Sequence, residues 1–321
     1  MSKFLPLKDF RARRRVLSPE DFAIGGIDVL PTDLIGQSTW KRLTTLPTDV
    51  AVQTSNHHGN QLKLLYVLWS LWGEAIDVPE DDATYESDMT FVPTLTASDE
   101  FDAATFNALH GFYRPSIGCA RNALEVMTVG CACQTLNLHK EFKAWQDGCE
   151  EFWFRDACKL LMEAESLRKL REVLADRSHD SLFDKGTRDA CGGLVGRGWV
   201  RRLYDHLCKY SHSRPGFTSG DLWRSNGPVY DTAAFQLCFD IQIEIFAACY
   251  LLTKIAKPDL RIAPRAQNIL FKYHSSSWLN VAAEAAKELG LIGTTCRDPL
   301  RSQVVPTWTG SPSRVRVGQT P

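Results

Sequence analysis

Arginine and histidine side chains are concentrated in one short stretch of the chain, residues 201–212, which reads RRLYDHLCKYSH. A guanidinium matches a phosphodiester through two parallel hydrogen bonds, and an imidazole that titrates near neutral pH can move the proton of a 2′-hydroxyl or of a leaving oxygen. Arg201 and His206 are therefore candidate catalytic residues for cleaving RNA without a metal ion. Arg202 and His212 are candidate substrate-binding residues beside them.

The same stretch allows a purely structural interpretation. On a straight helix the five-residue step from Arg201 to His206 turns by about 140°, so the two side chains diverge, whereas Arg202 and His206 share a face. Apolar residues recur at helical spacing around His206: Trp199, Leu203, Leu207 and Tyr210. This alternative makes His206 a packed histidine with one hydrogen bond.

Arg121 and Glu125 are a second polar pair, placed four residues apart in an apolar helical pattern. Their side chains meet on one face of a helix, so an ion pair between packed helices is expected. If Arg121 instead faces a cleft, it is a further candidate for binding a substrate anion.

A narrow polar stripe crosses the most apolar predicted helix, with Gln236, Asp240 and Glu244 spaced by four residues. Carboxylates on a buried helix need cationic partners. Asp240 and Glu244 are therefore expected either in a structural network or at the floor of a polar site. Three arginines are candidate donors: Arg121, Arg201 and Arg202.

The ten cysteines favour neither disulfides nor a metal centre. Most of them lie in apolar helical patterns, where a free thiol behaves as a small hydrophobic side chain, and no Cys-x-x-Cys occurs. The sequence also lacks a phosphate-binding glycine loop, a nucleophile elbow and a His-Glu-x-x-His motif. We therefore expect a reduced, cytoplasmic protein with no metal ion and no cofactor.

Helical periodicity runs through most of the chain and predicts an all-α bundle with an irregular N-terminal extension and a loose C-terminal tail. The main predicted helices cover residues 57–76, 140–177, 195–211, 230–256 and 277–290, together with one that begins at Tyr113. The most apolar window, residues 241–252, is short and contains Gln242 and Glu244, so no membrane span is expected.

The pattern divides the chain into five parts. These are an extension over 1–56, a helix plus acidic loop over 57–105, a helical core over 106–258, a C-terminal helical segment over 259–296 and a flexible basic tail over 297–321. Residues 77–105 carry nine acidic residues and no Lys or Arg, which favours a solvated loop. A mimic of nucleic acid and a metal-collecting segment are the alternatives for that loop.

The overall charge is close to balanced, with 37 Lys and Arg against 38 Asp and Glu, a net charge of -1. This balance argues against a protein that overall charge drives onto nucleic acid or acidic membranes, but it leaves room for a local basic site.

Two segments together resemble a known family. Residues 121–125, RNALE, resemble the Arg-x-x-x-Glu helix of HEPN-like proteins and related bacterial abortive-infection domains, and residues 203–212 resemble their later helix, which ends in Ser and His. The resemblance covers about 106–256 and implies a helical bundle, frequent homo-oligomers and metal-independent ribonucleases of toxin or antiviral defence systems. It places Arg201 and His206 in the family's Arg-x4-6-His motif, although Arg202 stands where the family usually has a small polar or acidic residue.

The leading hypothesis is a metal-independent ribonuclease or toxin-like effector of bacterial defence, with RNA as its partner and a homo-oligomer as its expected state. The alternative is a non-catalytic helical module of a defence or regulatory complex that binds a partner protein. A DNA-binding regulator is a third option, since residues 277–293 are similar to half of a helix-turn-helix.

Overall fold

The computed structural model describes residues 37–74, 81–176, 181–188, 194–211, 227–261, 263–272 and 279–291. Helices hold 80% of these residues, in eleven α-helices, and the described part of the chain contains one two-stranded sheet. The prediction of an all-α helical bundle is confirmed. Residues 1–36 of the predicted extension and the predicted tail lie outside the described residues.

The α-helices are α1 (Gln37–Glu74), α2 (Asp82–Ser87), α3 (Phe91–Leu109), α4 (Tyr113–Leu136), α5 (His139–Gln146), α6 (Phe154–Glu163), α7 (Arg168–Asp176), α8 (Trp199–Ser211), α9 (Thr232–Ala256), α10 (Pro264–Lys272) and α11 (Leu279–Glu288). A 3₁₀ turn at Glu165–Leu167 precedes α7, and strands β1 (Lys185–Arg188) and β2 (Leu194–Arg197) form an antiparallel hairpin before α8.

Helices α4 and α9 form the centre of the bundle. α4 packs against α3, α6, α8 and α9, and α9 also contacts α1, α3, α10 and α11. The Asp231 carboxylate caps the N-terminus of α9 by accepting a hydrogen bond from the Ala234 N–H at 2.9 Å. By length and composition α9 is the one described helix that could cross a membrane, and 78% of its most apolar segment is buried inside the bundle. A helix that is apolar over most of its circumference is buried in this way in the core of a protein.

The first described helix is longer than predicted, because α1 begins at Gln37 and not near residue 57. Its backbone leaves helical geometry at His58, with φ −126° and ψ 21°, so two helical halves meet there. In the second half the buried Trp72 ring packs edge-on against Phe101 and Tyr250. The extension predicted over 1–56 is therefore wrong from residue 37 onward.

In its described part, residues 81–105, the acidic segment is mostly helical rather than a loop, since that part contains α2 and most of α3. Five apolar side chains of α3 at helical spacing are fully buried: Phe91, Ala97, Phe101, Ala104 and Ala108. The acidic residues Asp99 and Asp102 lie on the exposed face of the same helix. The prediction of a loop is therefore wrong, and so is the prediction that the core begins near residue 106. The apolar residues at helical spacing form the buried face of α3, and the acidic residues occupy its solvent-exposed face.

Two further boundaries differ from the prediction around the hairpin. The helix predicted over 140–177 is divided into α5, α6 and α7, since Gly148 takes a φ of 67° and Ala164 is extended with ψ 125°. The helix predicted from residue 195 begins at Trp199, after β2. The Gly198 N–H donates to the Asp184 carbonyl at 2.9 Å and holds the start of α8 against the hairpin.

Candidate functional site

A cleft of about 440 Å³ opens between the start of α6, the end of β2 and one face of α8. The start of α6 contributes residues 153–155, β2 contributes Arg197, and α8 contributes Arg201, Tyr204 and Asp205. The three α8 residues follow i, i+3, i+4 spacing, so the helix itself brings them onto one wall. We call this feature the arginine cleft, because three arginines line it against one carboxylate.

Arg201 is a nearly buried cation in the wall of the arginine cleft. Its side chain is 5% exposed, and its Nε donates to the Phe183 carbonyl at 2.7 Å while Nη2 donates to the Arg155 carbonyl at 3.0 Å. In the described part of the chain Arg201 takes part in no ion pair within 4.0 Å. Its charge is therefore held by carbonyl dipoles and adds to the positive potential of the cleft.

Arg197 and Asp205 form the ion pair of the cleft, with 2.5 Å between Nη1 and Oδ2. Burial raises the pKa of the Asp205 carboxyl, against the opposing effect of Arg197, Arg201 and Lys209. The Arg197 Nε is buried and has no hydrogen-bond partner among the described residues. Arg155 is exposed and makes no ion pair with any described residue. Arg155 and Arg201 together thus leave the cleft with excess positive charge.

The start of α6, which lines the same cleft, carries backbone N–H groups without a cap. No side chain caps the helix at Trp153, whose carbonyl accepts from the N–H groups of Asp156 at 2.9 Å and Ala157 at 3.0 Å. The backbone N–H groups of Phe154 and Arg155 donate a hydrogen bond to no described residue. Such N–H groups at the positive end of a helix dipole favour an anion.

Tyr204 forms the aromatic wall of the cleft and connects it to the predicted Arg121–Glu125 pair. Its ring stacks on Phe154 with 3.8 Å between centroids, and its hydroxyl accepts from Arg121 Nη2 at 2.5 Å. The Arg121 Nη2 also lies 3.0 Å from the Glu125 Oε2, so the predicted ion pair is confirmed. Arg121 supports the tyrosine from the α4 side and is not among the residues that line the described cleft.

His206 lies on a different face of α8 from Arg201, as the five-residue step predicted. The cleft lining in the described structure includes Arg201 but not His206, whose half-buried ring meets Tyr210 edge-on at 5.4 Å. Burial lowers the pKa of His206, and the neighbouring Lys209 lowers it further. The structure therefore does not bring the two candidate catalytic residues together in one copy of the chain. His212 lies outside the described residues.

The polar stripe of α9 forms a separate network at its contacts with α8 and α1. Glu244 accepts from the Trp199 Nε1 at 2.5 Å, and burial raises the pKa of its carboxyl to about 7 although the Arg202 charge acts in the opposite direction. One turn away, Asp240 accepts from the Gln236 Nε2 at 2.8 Å. Of the predicted network, Glu125 belongs to the α4–α8 contact and not to this stripe.

The stripe continues into α1 through residues that sequence reasoning did not single out. The Gln236 Oε1 accepts from the Gln61 Nε2 at 2.6 Å, and the Gln61 Oε1 lies 2.6 Å from the His58 Nδ1. The His58 ring stacks on Phe235 with 4.4 Å between centroids. These bonds fix the geometry of α1 at its irregular position.

Arg201 is the one predicted site residue among the seven described residues that line the cleft. Sequence reasoning missed the other six: Trp153, Phe154, Arg155, Arg197, Tyr204 and Asp205. Arg197 stands between Gly196 and Gly198, a turn signal directly before a helix, and that pattern is the one local sign of a functional position. Nothing in the spacing of Trp153 or Arg155 connects them to residues more than forty positions later.

Within the described residues no group of three or more His, Cys, Asp or Glu side chains is arranged to hold a metal ion. Searches against protein-family models, curated proteins and solved structures found no match for this chain. The arginine cleft is therefore interpreted from its own geometry.

Proposed function

We propose that the protein binds RNA and that the arginine cleft holds a phosphodiester of the bound strand. The observation that carries this proposal is the meeting of three arginines with an uncapped helix start in one cleft, whose described lining residues include a single carboxylate. Guanidinium groups and free backbone N–H groups are the donors that phosphate oxygens prefer in proteins.

Each lining group has a distinct part in this proposal. Arg155 and Arg197 are the more exposed guanidinium groups and contact the phosphate directly, while the nearly buried Arg201 supplies charge from behind them. The N–H groups of Phe154 and Arg155 complete the donor set. Because the net charge of the chain is -1, the attraction for RNA is local to the cleft.

The sequence-derived proposal goes one step further, to a HEPN-like, metal-independent ribonuclease or toxin of bacterial defence that acts as a homo-oligomer. In that proposal Arg201 stabilises the phosphate charge and His206 acts as general acid or base. The geometry supports binding more directly than cleavage, because cleavage by this pair needs an imidazole to reach a phosphate held in the cleft. The cleavage step rests on the resemblance of residues 121–125 and 203–212.

The test is the affinity of the purified full-length chain for a short fluorescent RNA, measured by anisotropy. We expect Arg155→Ala and Arg197→Ala each to weaken binding about tenfold or more, since a charge-assisted bond contributes about 1.5–3 kcal/mol. Arg168→Ala is the matched control, because that arginine is 64% exposed on α7 and pairs only with neighbouring glutamates in the described structure. Equal RNA binding by all four proteins would refute the proposal.

A cleavage assay separates binding from catalysis in the same preparations. Wild-type protein and His206→Ala are incubated with labelled RNA in the presence of EDTA, and the products are resolved on a denaturing gel. Cleavage that persists in EDTA and disappears in His206→Ala supports the ribonuclease step. If the wild type leaves the RNA intact, the ribonuclease step is wrong and only the RNA-binding proposal remains.

A second candidate function, docking of a partner protein, is favoured by apolar side chains exposed on α1. Leu43 is 58% exposed, Val52 56% and Tyr66 64%. If no RNA binds and Leu43→Ser abolishes co-purification of a protein that the wild type retains, the interaction module replaces the RNA-binding proposal.

A further inference from the structure

We infer that the arginine cleft receives one unpaired nucleotide, with its base stacked on Trp153 and its phosphate at Arg155 and Arg197. This inference rests on the proposed function and specifies its substrate class as single-stranded RNA.

Trp153 is the aromatic side chain of the cleft that has a free face. It is 54% exposed, and its indole makes no hydrogen bond or ring contact with another described residue. The two other aromatic residues of the lining, Phe154 and Tyr204, are stacked on each other at 3.8 Å and 11°, so those faces are already covered. A large exposed indole beside guanidinium groups is the combination that binds a base next to its phosphate.

The contacts proposed for the base and for the phosphate line the same cleft. Trp153 is the residue that precedes α6, and Arg155 is the second residue inside the helix. The N–H groups at the same helix start lie between these two side chains along the chain. A base stacked on Trp153 and a phosphate at Arg155 and Arg197 would therefore lie in the same cleft.

The size of the cleft selects against a duplex. Its volume of about 440 Å³ lies near the lower end of the range of small-molecule sites, about 300–1,000 Å³. A base can stack on an indole only after it has left its neighbours and its pairing partner, which is the situation in single strands, loops and ends. Stacking is available to every base, so little sequence preference is expected.

The experiment compares one 12-nucleotide RNA, single-stranded or annealed to its complement, with full-length wild type, Trp153→Leu and Trp153→Phe. We expect the single strand to bind at least tenfold more tightly than the duplex. Trp153→Leu should lose about tenfold in affinity for the single strand, and Trp153→Phe should keep most of it, because a phenyl ring still stacks. Tyr66→Leu, which removes another exposed ring on α1, should bind like the wild type.

The outcomes separate this inference from the proposed function. If the arginine variants lose affinity while Trp153→Leu binds the single strand normally, or if the duplex binds as well as the single strand, the inference is wrong and the RNA-binding proposal remains. If neither the arginine variants nor Trp153→Leu changes binding, both are wrong. Thermal melts of each variant, followed by circular dichroism, confirm that a lost affinity reflects the cleft and not unfolding.

Discussion

The Arg197–Asp205 ion pair sets the charge that a ligand meets in the arginine cleft. The two groups are 2.5 Å apart, so the Asp205 carboxylate occupies a guanidinium edge that a phosphate would otherwise take. A bound phosphate must share Arg197 with this carboxylate or displace it, and like charges close together repel. Asp205 is therefore expected to limit the affinity of the cleft for anions.

Replacement of Asp205 by Asn should raise the affinity for RNA. Asparagine keeps the size and hydrogen-bonding capacity of the side chain and removes its negative charge, so we expect binding about three- to tenfold tighter at pH 7.5, from about 1 kcal/mol of relieved repulsion. The change in affinity is measured as the dissociation constant of the complex between the protein and a short RNA. Asp102→Asn on α3 removes the same charge away from the cleft and should leave binding unchanged. Weaker binding by Asp205→Asn would mean that the carboxylate positions Arg197 and does not compete for it.

The contacts between helices explain what periodicity predicted and what it missed. α9, predicted over 230–256, spans Thr232–Ala256, because its mostly apolar pattern ends just before Pro258, which cannot continue the helix. α3 was not predicted, because the nine acidic residues of 77–105 favour a solvated loop. Its buried residues nevertheless repeat at helical spacing. Spacing predicts which side of a helix packs, whereas composition describes only the side that faces solvent.

The α8–α9 contact should make the stability of the bundle depend on pH through Glu244. Burial raises the pKa of this carboxyl from an ordinary 4.5 to about 7, so the folded chain holds a proton there that the unfolded chain releases near 4.5. The protonated form is favoured in the fold, and stability therefore decreases as the pH rises from 4.5 to 7. Above that window the buried charge costs about 2–3 kcal/mol.

Glu244→Gln should remove this dependence, since glutamine stays neutral and its Oε1 can still accept from the Trp199 Nε1. We expect the variant to match the wild type near pH 4.5 and to be more stable than it by about 2–3 kcal/mol at pH 8, measured by urea unfolding. Glu172→Gln, on an exposed face of α7, serves as the control and should unfold like the wild type at both pH values. A Glu244→Gln variant that is less stable at pH 8 would show that the carboxylate is stabilised there by its pairing and not penalised by burial.

At the scale of the whole molecule, the arginine cleft is assembled from segments that the sequence gives no reason to join. The fold places the start of α6 and the α8 wall on the same side of α4, against which both helices pack. Arg201 was singled out from its local motif, but its neighbours Arg155 and Arg197 come together only through this packing. The local motif thus singled out one residue of the cleft, Arg201, and tertiary structure brought the others to it.

The net charge of the molecule is close to zero, and its excess positive charge for RNA lies in the arginine cleft. RNA affinity should therefore depend only weakly on salt concentration. Each phosphate neutralised on a single strand makes the slope of log affinity against log salt concentration more negative by about 0.7, so the one phosphate held in the cleft gives about −0.7, and three arginines that each neutralised a phosphate would give no more than about −2. Titrations of RNA binding in KCl, over about 50–300 mM, should give a value between about −0.7 and −2. Arg155→Ala should reduce the slope by about 0.7, whereas Arg168→Ala should not change it. A slope of about −5 or steeper would place the binding on many phosphates at once, beyond what this cleft can contact, and would point to the basic residues 11–15 or to the tail over 297–321 instead.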